Sequence, residues 1–249
     1  MMHVTHVNGR RYAQFDRLRQ VFGLQHAFST RPENLSPRNG ANNEQRRRMA
    51  EDWGLNPQRL CYCEQVHQRH IAVVEDPWSG GPLPETDAVI TVVPELPLMT
   101  FSADCPLILV ADVSRRVLGL AHASWRCTVN RLAARLVEMM AARFDCRPGD
   151  LLAGIGPGAG PCCYQVGTDV YEAAAALTDR QRCFQERSGA LFFDLWQANR
   201  VQLLETGIPP ENVELAGVCT LCRPDLFFSY RREGPGCGHF ALLAALRCG

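Results

Sequence analysis

Residues 105–122 read Cys105-Pro-Leu-Ile-Leu-Val-Ala111, Asp112-Val-Ser-Arg-Arg116 and Val117-Leu-Gly-Leu-Ala121-His122. Two apolar runs of strand length flank a polar turn, which predicts a β-hairpin. Past Ala123-Ser-Trp-Arg126 the period changes. Val129, Leu132, Ala133, Leu136, Val137 and Met140 recur at helical spacing, so one helix with a single apolar stripe is expected.

The same reading extends outward. Segments 71–75, 88–93, 213–218 and 240–246 are expected as strands, and 77–84 as a Pro/Gly-rich loop. Helices are expected over 42–55, 168–177 and 194–205, the last capped by Asp194. The arginine triplet Arg46-Arg47-Arg48 reads as a solvated helix face. Strands and helices interleave while hairpins also occur, so the expected fold is α/β (α+β) with a mixed sheet. No repeat or linker divides the chain, and residues 1–249 are expected to form a single domain.

The hairpin places chemistry at its open end. With the turn centred between Val113 and Ser114, Cys105 stands opposite His122. Opposed residues have Cβ atoms about 4.5–5.5 Å apart, close enough to share one ion. A thiolate with imidazole suits zinc or copper and not calcium or magnesium. A slip of one residue would send the two side chains to opposite faces. Strand alternation turns Asp104 away from Cys105. The helix start after His122 favours an anion, and Arg126 adds donors there, although a local ion pair is an equal reading. His67 precedes a strand; taken singly, it and the other histidines (His3, His6, His26, His70, His239) read as structural residues.

Composition narrows the classes. The 249 residues are 46% hydrophobic and 21% charged, with Lys+Arg and Asp+Glu both 26. A net basic field for nucleic acid is absent, no apolar run spans a bilayer, and no segment near the N-terminus resembles an export signal. Cytoplasmic localisation is expected, and with it reduced thiols for the 12 cysteines. Cys61, Cys63, Cys127, Cys146, Cys162, Cys163, Cys183 and Cys248 are expected as buried small hydrophobes. Cys219-Thr-Leu-Cys222 is a C-x-x-C without a second pair at a convincing spacing, so metal binding by that pair alone is not expected. Gly154-Ile-Gly156-Pro-Gly158-Ala159 matches a dinucleotide fingerprint formally. Pro157 and Pro161 interrupt it and no helix follows, so a tight structural turn is the better reading.

Several stretches together carry a resemblance: Phe28-Ser-Thr-Arg31, Glu64-Gln-Val-His67, Glu85-Thr-Asp-Ala88, Ser102-Ala-Asp-Cys105, Gly119-Leu-Ala-His-Ala-Ser-Trp-Arg126, Gly154-Ile-Gly-Pro157, Gly160-Pro-Cys-Cys-Tyr164 and Phe227-Phe-Ser-Tyr-Arg-Arg232. The chain resembles the family variously called polyphenol oxidase (laccase-domain), purine nucleoside phosphorylase and peptidoglycan editing factor, with the YfiH-like fold. The resemblance implies an α/β/β/α sandwich with mixed sheets and a single zinc on His67, Cys105 and His122. It is the main source for His67 as third ligand. It also implies phosphorolysis of adenosine, inosine and methylthioadenosine, and deamination of adenosine. The partners expected are a nucleoside and phosphate, and the chain a monomer or small homo-oligomer. Arg31 and Arg126 are candidates for phosphate. Asp104 and Arg126 are taken as the catalytic candidates, with Asp87 and Glu64 as further nearby carboxylates.

Other readings stay open. The same metal site suits a peptidoglycan-precursor amidase, and a non-catalytic zinc or nucleoside-binding module belongs to another class. Copper polyphenol oxidase chemistry needs more histidines, over several sites, than the seven present. The chain also departs from the family pattern. Ser124 and Cys127 stand where glycines are usual, and Cys237-Gly-His239 replaces Thr-Gly-Arg. The loop after Arg31 lacks paired glycines. If either of the two replaced glycines served a left-handed conformation, the pocket wall would change.

Overall fold

The computed structural model describes residues 2–37 and 42–247. In chain order its strands are β1 (Met2–Val7), β2 (Arg10–Phe15), β3 (Leu24–Ser29), β4 (Cys61–Cys63), β5 (Ile71–Val74) and β6 (Gly81–Leu83). There follow β7 (Ala88–Thr91), β8 (Leu98–Ser102), β9 (Leu107–Asp112), β10 (Val117–His122) and β11 (Leu152–Ile155). The remainder are β12 (Gln165–Val166), β13 (Phe184–Arg187), β14 (Ala190–Phe193), β15 (Val213–Leu215) and β16 (Phe240–Leu246). The helices are α1 (Asn43–Asp52), α2 (Trp125–Val129), α3 (Leu132–Phe144), α4 (Thr168–Ala173), α5 (Arg180–Cys183), α6 (Leu195–Glu205) and α7 (Tyr230–Glu233).

Within the described residues the strands form three sheets, ordered β1-β2-β3-β16-β8-β4-β6, β15-β11-β9-β10-β7-β5 and β12-β14-β13. Both large sheets mix parallel and antiparallel pairs. Alternation along the strands defines the layers. From β16, Phe240, Leu242, Ala244 and Leu246 meet Leu107, Leu109 and Ala111 of β9 in a core between the two large sheets. The intervening Ala241, Leu243 and Ala245 face Met49 and Ala50 of α1. Ile108 and Val110 of β9 face the other way, onto Leu132, Leu136, Val137 and Met140 of α3 and Leu203 of α6. The order is therefore helix, sheet, sheet, helices: an α/β/β/α sandwich. The small sheet makes a separate cluster with α4 and α6 around Phe184 and Phe193.

The hairpin forms, with its register shifted. Asp112 stays in β9 because its Oδ1 accepts hydrogen bonds from Ser114 Oγ (2.7 Å) and the Arg115 amide (2.9 Å). Val117 pairs with Asp112, so the turn centres between Ser114 and Arg115, and Leu107 rather than Cys105 faces His122. The shift is two residues along β9, which keeps the faces of the ladder. Cys105 lies before β9, in a bend where Asp104 takes φ 105°.

Other expectations need correction. The single helix from Val129 to Met140 is two. The Asn130 side chain donates to Arg126 O (2.9 Å), Arg131 turns left-handed (φ 59°), and Val129 packs on the cluster of the small sheet. Segment 77–84 contains strand β6, and segments 168–177 and 213–218 shorten to α4 and β15. Arg46 is not solvated: it is 2% exposed, donates to Ser36 O (2.7 Å) and lies against the rings of Tyr62 and Phe101. Its neighbours Arg47 and Arg48 are exposed. Cys162 is exposed and Cys163 half-buried, contrary to the expectation for both, while Cys61, Cys63, Cys127, Cys146 and Cys183 are buried. Cys248 lies outside the described residues.

The glycine-rich stretch is a packing device. β11 ends at Ile155, and a Cβ added at Gly156 would lie 2.7 Å from the Phe28 ring and 2.9 Å from the Leu107 carbonyl. Phe28 is fully buried and the carbonyl accepts the Gly156 amide, so neither can yield freely. Gly156→Ala is expected to destabilise the fold by about 1–3 kcal/mol, the usual cost of overpacking. Denaturant melts of the two proteins check it, and equal midpoints would show that the close approach is not needed.

Candidate metal centre and its pocket

Three segments bring the candidate ligands together. His67 follows β4 in a left-handed turn (φ 59°), His122 ends β10, and Cys105 occupies the bend before β9. Their ligand atoms all lie within 4.8 Å of one another. The two imidazole rings meet edge to face with centroids 4.8 Å apart.

Asp87 organises this meeting. It is fully buried, its Oδ1 accepts the His67 amide (2.8 Å) and its Oδ2 the Gln68 amide (2.6 Å). These bonds hold the left-handed turn that aims His67. Oδ1 also stands 3.7 Å from His122 Nδ1, a buried nitrogen with no hydrogen-bond partner among the described residues. Burial alone would raise the Asp87 carboxyl, but the His122 ring and the two amides hold it below the ordinary aspartate value. Burial pushes the Cys105 thiol well up, so an adjacent cation is what would make it a thiolate.

A pocket of about 350 Å³ opens over the trio. Its wall includes Phe101, Asp104, Tyr164, Tyr230, Arg231 and His239. Asp104 is 8% exposed; its Oδ1 accepts from Thr220 Oγ1 (2.6 Å) and its Oδ2 from the Arg231 amide (2.7 Å). Arg231 places its guanidinium over the Tyr164 ring, 5.0 Å from the centroid, and donates to Gln165 O (2.7 Å).

The two other predicted residues stand elsewhere. Arg31 pairs with Glu233, donates to Phe227 O (3.2 Å) and lies 4.1 Å over Phe228; the pocket lining does not include it. Arg126 is exposed, stacks on Trp125 at 4.3 Å and lines the shallower depressions outside, one of which it shares with Tyr164 and Arg231. The local ion pair weighed for Arg126 does not form among the described residues. Of the remaining carboxylates, Glu64 lines an adjoining hollow. Arg231, Tyr164 and His239 were not singled out by residue chemistry. Tyr164 and Arg231 lie in stretches that carry the family resemblance, and His239 stands where the chain departs from it.

Ser124 and Cys127 do not occupy left-handed positions. Ser124 is extended (φ −60°, ψ 165°) and caps α2 through the Cys127 amide, and its Oγ lies 2.9 Å from Cys127 Sγ. The two replacements thus pack on each other below the site. His26 is a core residue, its Nε2 accepting the Phe15 amide (3.0 Å) and its pKa lowered by burial to about 3.

A sandwich of this order with a His-Cys-His trio at its open end defines a recognisable class. Residues 34–247 match the family model described as multi-copper polyphenol oxidoreductase laccase, and the chain belongs to that family. It is 34% identical over 198 residues to the purine nucleoside phosphorylase YlmD of Geobacillus stearothermophilus, covering 76% of this chain and 72% of that one. It is 33% identical over 215 residues to a purine nucleoside phosphorylase of Bacteroides thetaiotaomicron, covering 81% and 80%. The crystal structure of YlmD from Geobacillus stearothermophilus superposes with a TM-score of 0.88 at 27% identity, covering 100% of each chain. That of the hypothetical protein YfiH from Bacillus licheniformis gives 0.87 at 27%, covering 95% and 96%. The mixed α/β fold is thus that of YfiH and YlmD.

Proposed function

We propose that the protein is a zinc-dependent purine nucleoside enzyme, cleaving adenosine, inosine and methylthioadenosine with phosphate and deaminating adenosine. The observation that carries this reading is the convergence of His67, Cys105 and His122 on a nucleoside-sized pocket, in a chain whose relatives are named purine nucleoside phosphorylases. A thiolate and two imidazoles suit zinc, and the buried, unpartnered His122 Nδ1 facing Asp87 fits a ligand oriented by a carboxylate. Held by these three residues, zinc would supply Lewis acidity to a substrate in the pocket.

The chain's own residues do the rest. Phe101 and Tyr164 line the pocket and would give a purine ring aromatic contacts. Arg231, which lines the pocket, is better placed than Arg31 to hold phosphate, and Arg126 adds charge at the outer rim. Asp104 presents a carboxylate fixed by Thr220 and Arg231, which would accept or return a proton at the substrate. We place it in the cytoplasm, where its thiols would be kept reduced; among the described residues no helix is long and apolar enough to cross a membrane.

Zinc-replete protein incubated with adenosine and phosphate is expected to yield adenine with ribose 1-phosphate, and inosine with ammonia, both identified by mass spectrometry. Neither product from zinc-loaded protein would overturn the reading. Asp87→Asn keeps the size of the side chain but offers an amide N–H₂ to one of the two backbone donors. Metal affinity should fall about 10–100-fold, measured by competition with a chromophoric chelator. Unchanged affinity would remove Asp87 from the support of the ligands.

A further inference from the structure

Outside the pocket, the densest group of metal-ligating side chains joins two loops distant in sequence. Cys162 and Cys163 precede Tyr164, and Cys219 and Cys222 bracket Thr220-Leu221. All four sulfurs lie within 4.8 Å of one another. Cys222 Sγ is 3.7 Å from Cys162 Sγ and 3.5 Å from Cys163 Sγ. These separations are far beyond a disulfide bond of about 2.05 Å. Ligands 2.3 Å from a central zinc sit about 3.8 Å apart at the corners of a tetrahedron, and the observed spacings are close to that.

Two further observations point to a cation. The Gly160 amide donates to Cys219 Sγ (3.3 Å), and that sulfur is buried. An amide donor aimed at the first sulfur of a C-x-x-C turn favours the thiolate that a metal ligand must be. Around the cluster, Arg187 donates to Pro161 O and Arg232 to Leu221 O (3.1 Å). Four thiolates around one Zn²⁺ leave a net charge of minus two, and these guanidinium groups sit beside the backbone that would carry it.

We infer that Cys162, Cys163, Cys219 and Cys222 form a structural tetrathiolate zinc site, separate from the His67-Cys105-His122 trio. Binding exchanges thiol protons for the metal, up to four per ion, and involves no redox change. Zinc there clamps the turn whose Thr220 hydroxyl holds Asp104 and fixes the loop that delivers Tyr164, so it braces two sides of the pocket wall. The spacing concealed the site from sequence reading, because the second pair is the adjacent Cys162-Cys163 and not another C-x-x-C.

The test uses full-length protein carrying His122→Ala, so that the two sites are separated. Elemental analysis after gel filtration in zinc is expected to find one ion per chain, and none once Cys162→Ser and Cys222→Ser are added. With cobalt in place of zinc, the sulfur-to-metal charge-transfer band should have the intensity of four thiolates rather than one. In the unsubstituted protein, exposed Cys162 and Cys222 should resist alkylation until a chelator is added. No metal in the His122→Ala protein with all four thiols freely alkylated overturns the inference, as does an intact mass showing a disulfide among them. An ion that survives His122→Ala but is lost with the two cysteines, in wild-type protein that holds only one, would uphold this site and remove the metal from the proposed function.

Discussion

Cys105→Ala should lose its metal on dialysis and turn over purine nucleosides at least about a thousandfold more slowly. Cys105 contributes the only sulfur of the trio; Cys127 is close by, its ligand atom within 4.8 Å of those of Asp87 and His122, but it does not belong to the trio. Its sulfur is enclosed strongly enough to remain a neutral thiol without a cation, so the thiolate and the metal stabilise each other. Removing one of three ligands leaves two imidazoles, one of them on a turn. A bound metal contributes several kcal/mol of charge stabilisation in the transition state, and about 4 kcal/mol corresponds to about a thousandfold. Metal content and kcat/KM are measured on the same preparation. Wild-type turnover in this variant would sink the site.

Asp104→Asn tests a different link, because Asp104 does not belong to the trio. The amide is nearly isosteric but cannot serve as a general base, and it must turn an N–H₂ toward either the Thr220 hydroxyl or the Arg231 amide. The hydroxyl can rotate to accept, so folding should survive. Loss of a positioned acid or base typically costs about 10²–10⁴ in rate, and kcat should carry that loss while metal content stays at the wild-type value. A parallel loss of metal would show that Asp104 acts by supporting the ligands. A rate within threefold of wild type would exclude it as the proton-transfer group.

The parts legible in the sequence were those written in local periodicity. β16 spans the predicted 240–246, Asp194 caps α6 through the Gln197 amide, and β9 and β10 form the expected hairpin. The pairing within that hairpin was misplaced because the side chain of Asp112 captures turn donors while its backbone remains in the ladder. Composition alone does not reveal such an Asx turn. The stripe from Val129 onward hid a break, since Asn130 and Arg131 leave the apolar spacing intact while the chain changes direction. Arg46 was misread because a guanidinium satisfied by carbonyl oxygens and aromatic faces can be buried, and its partners lie on other elements. For the pocket, Cys105 and His122 were picked out by their expected opposition in the hairpin, although it is Leu107 that faces His122 there, whereas His67 rested on resemblance. Arg231 and Tyr164 reach the pocket through tertiary contacts that no spacing records.

The position of β16 has a consequence for synthesis. The last strand in sequence lies between β3 and β8, in the interior of the seven-stranded sheet. Until residue 246 has left the ribosome, β3 and β8 each keep an unpaired edge. The sandwich therefore cannot close progressively from the N-terminus. A nascent chain interrupted before 240 carries nearly every pocket residue and none of the strand that joins the two halves of the sheet, a state prone to aggregation and to capture by chaperones.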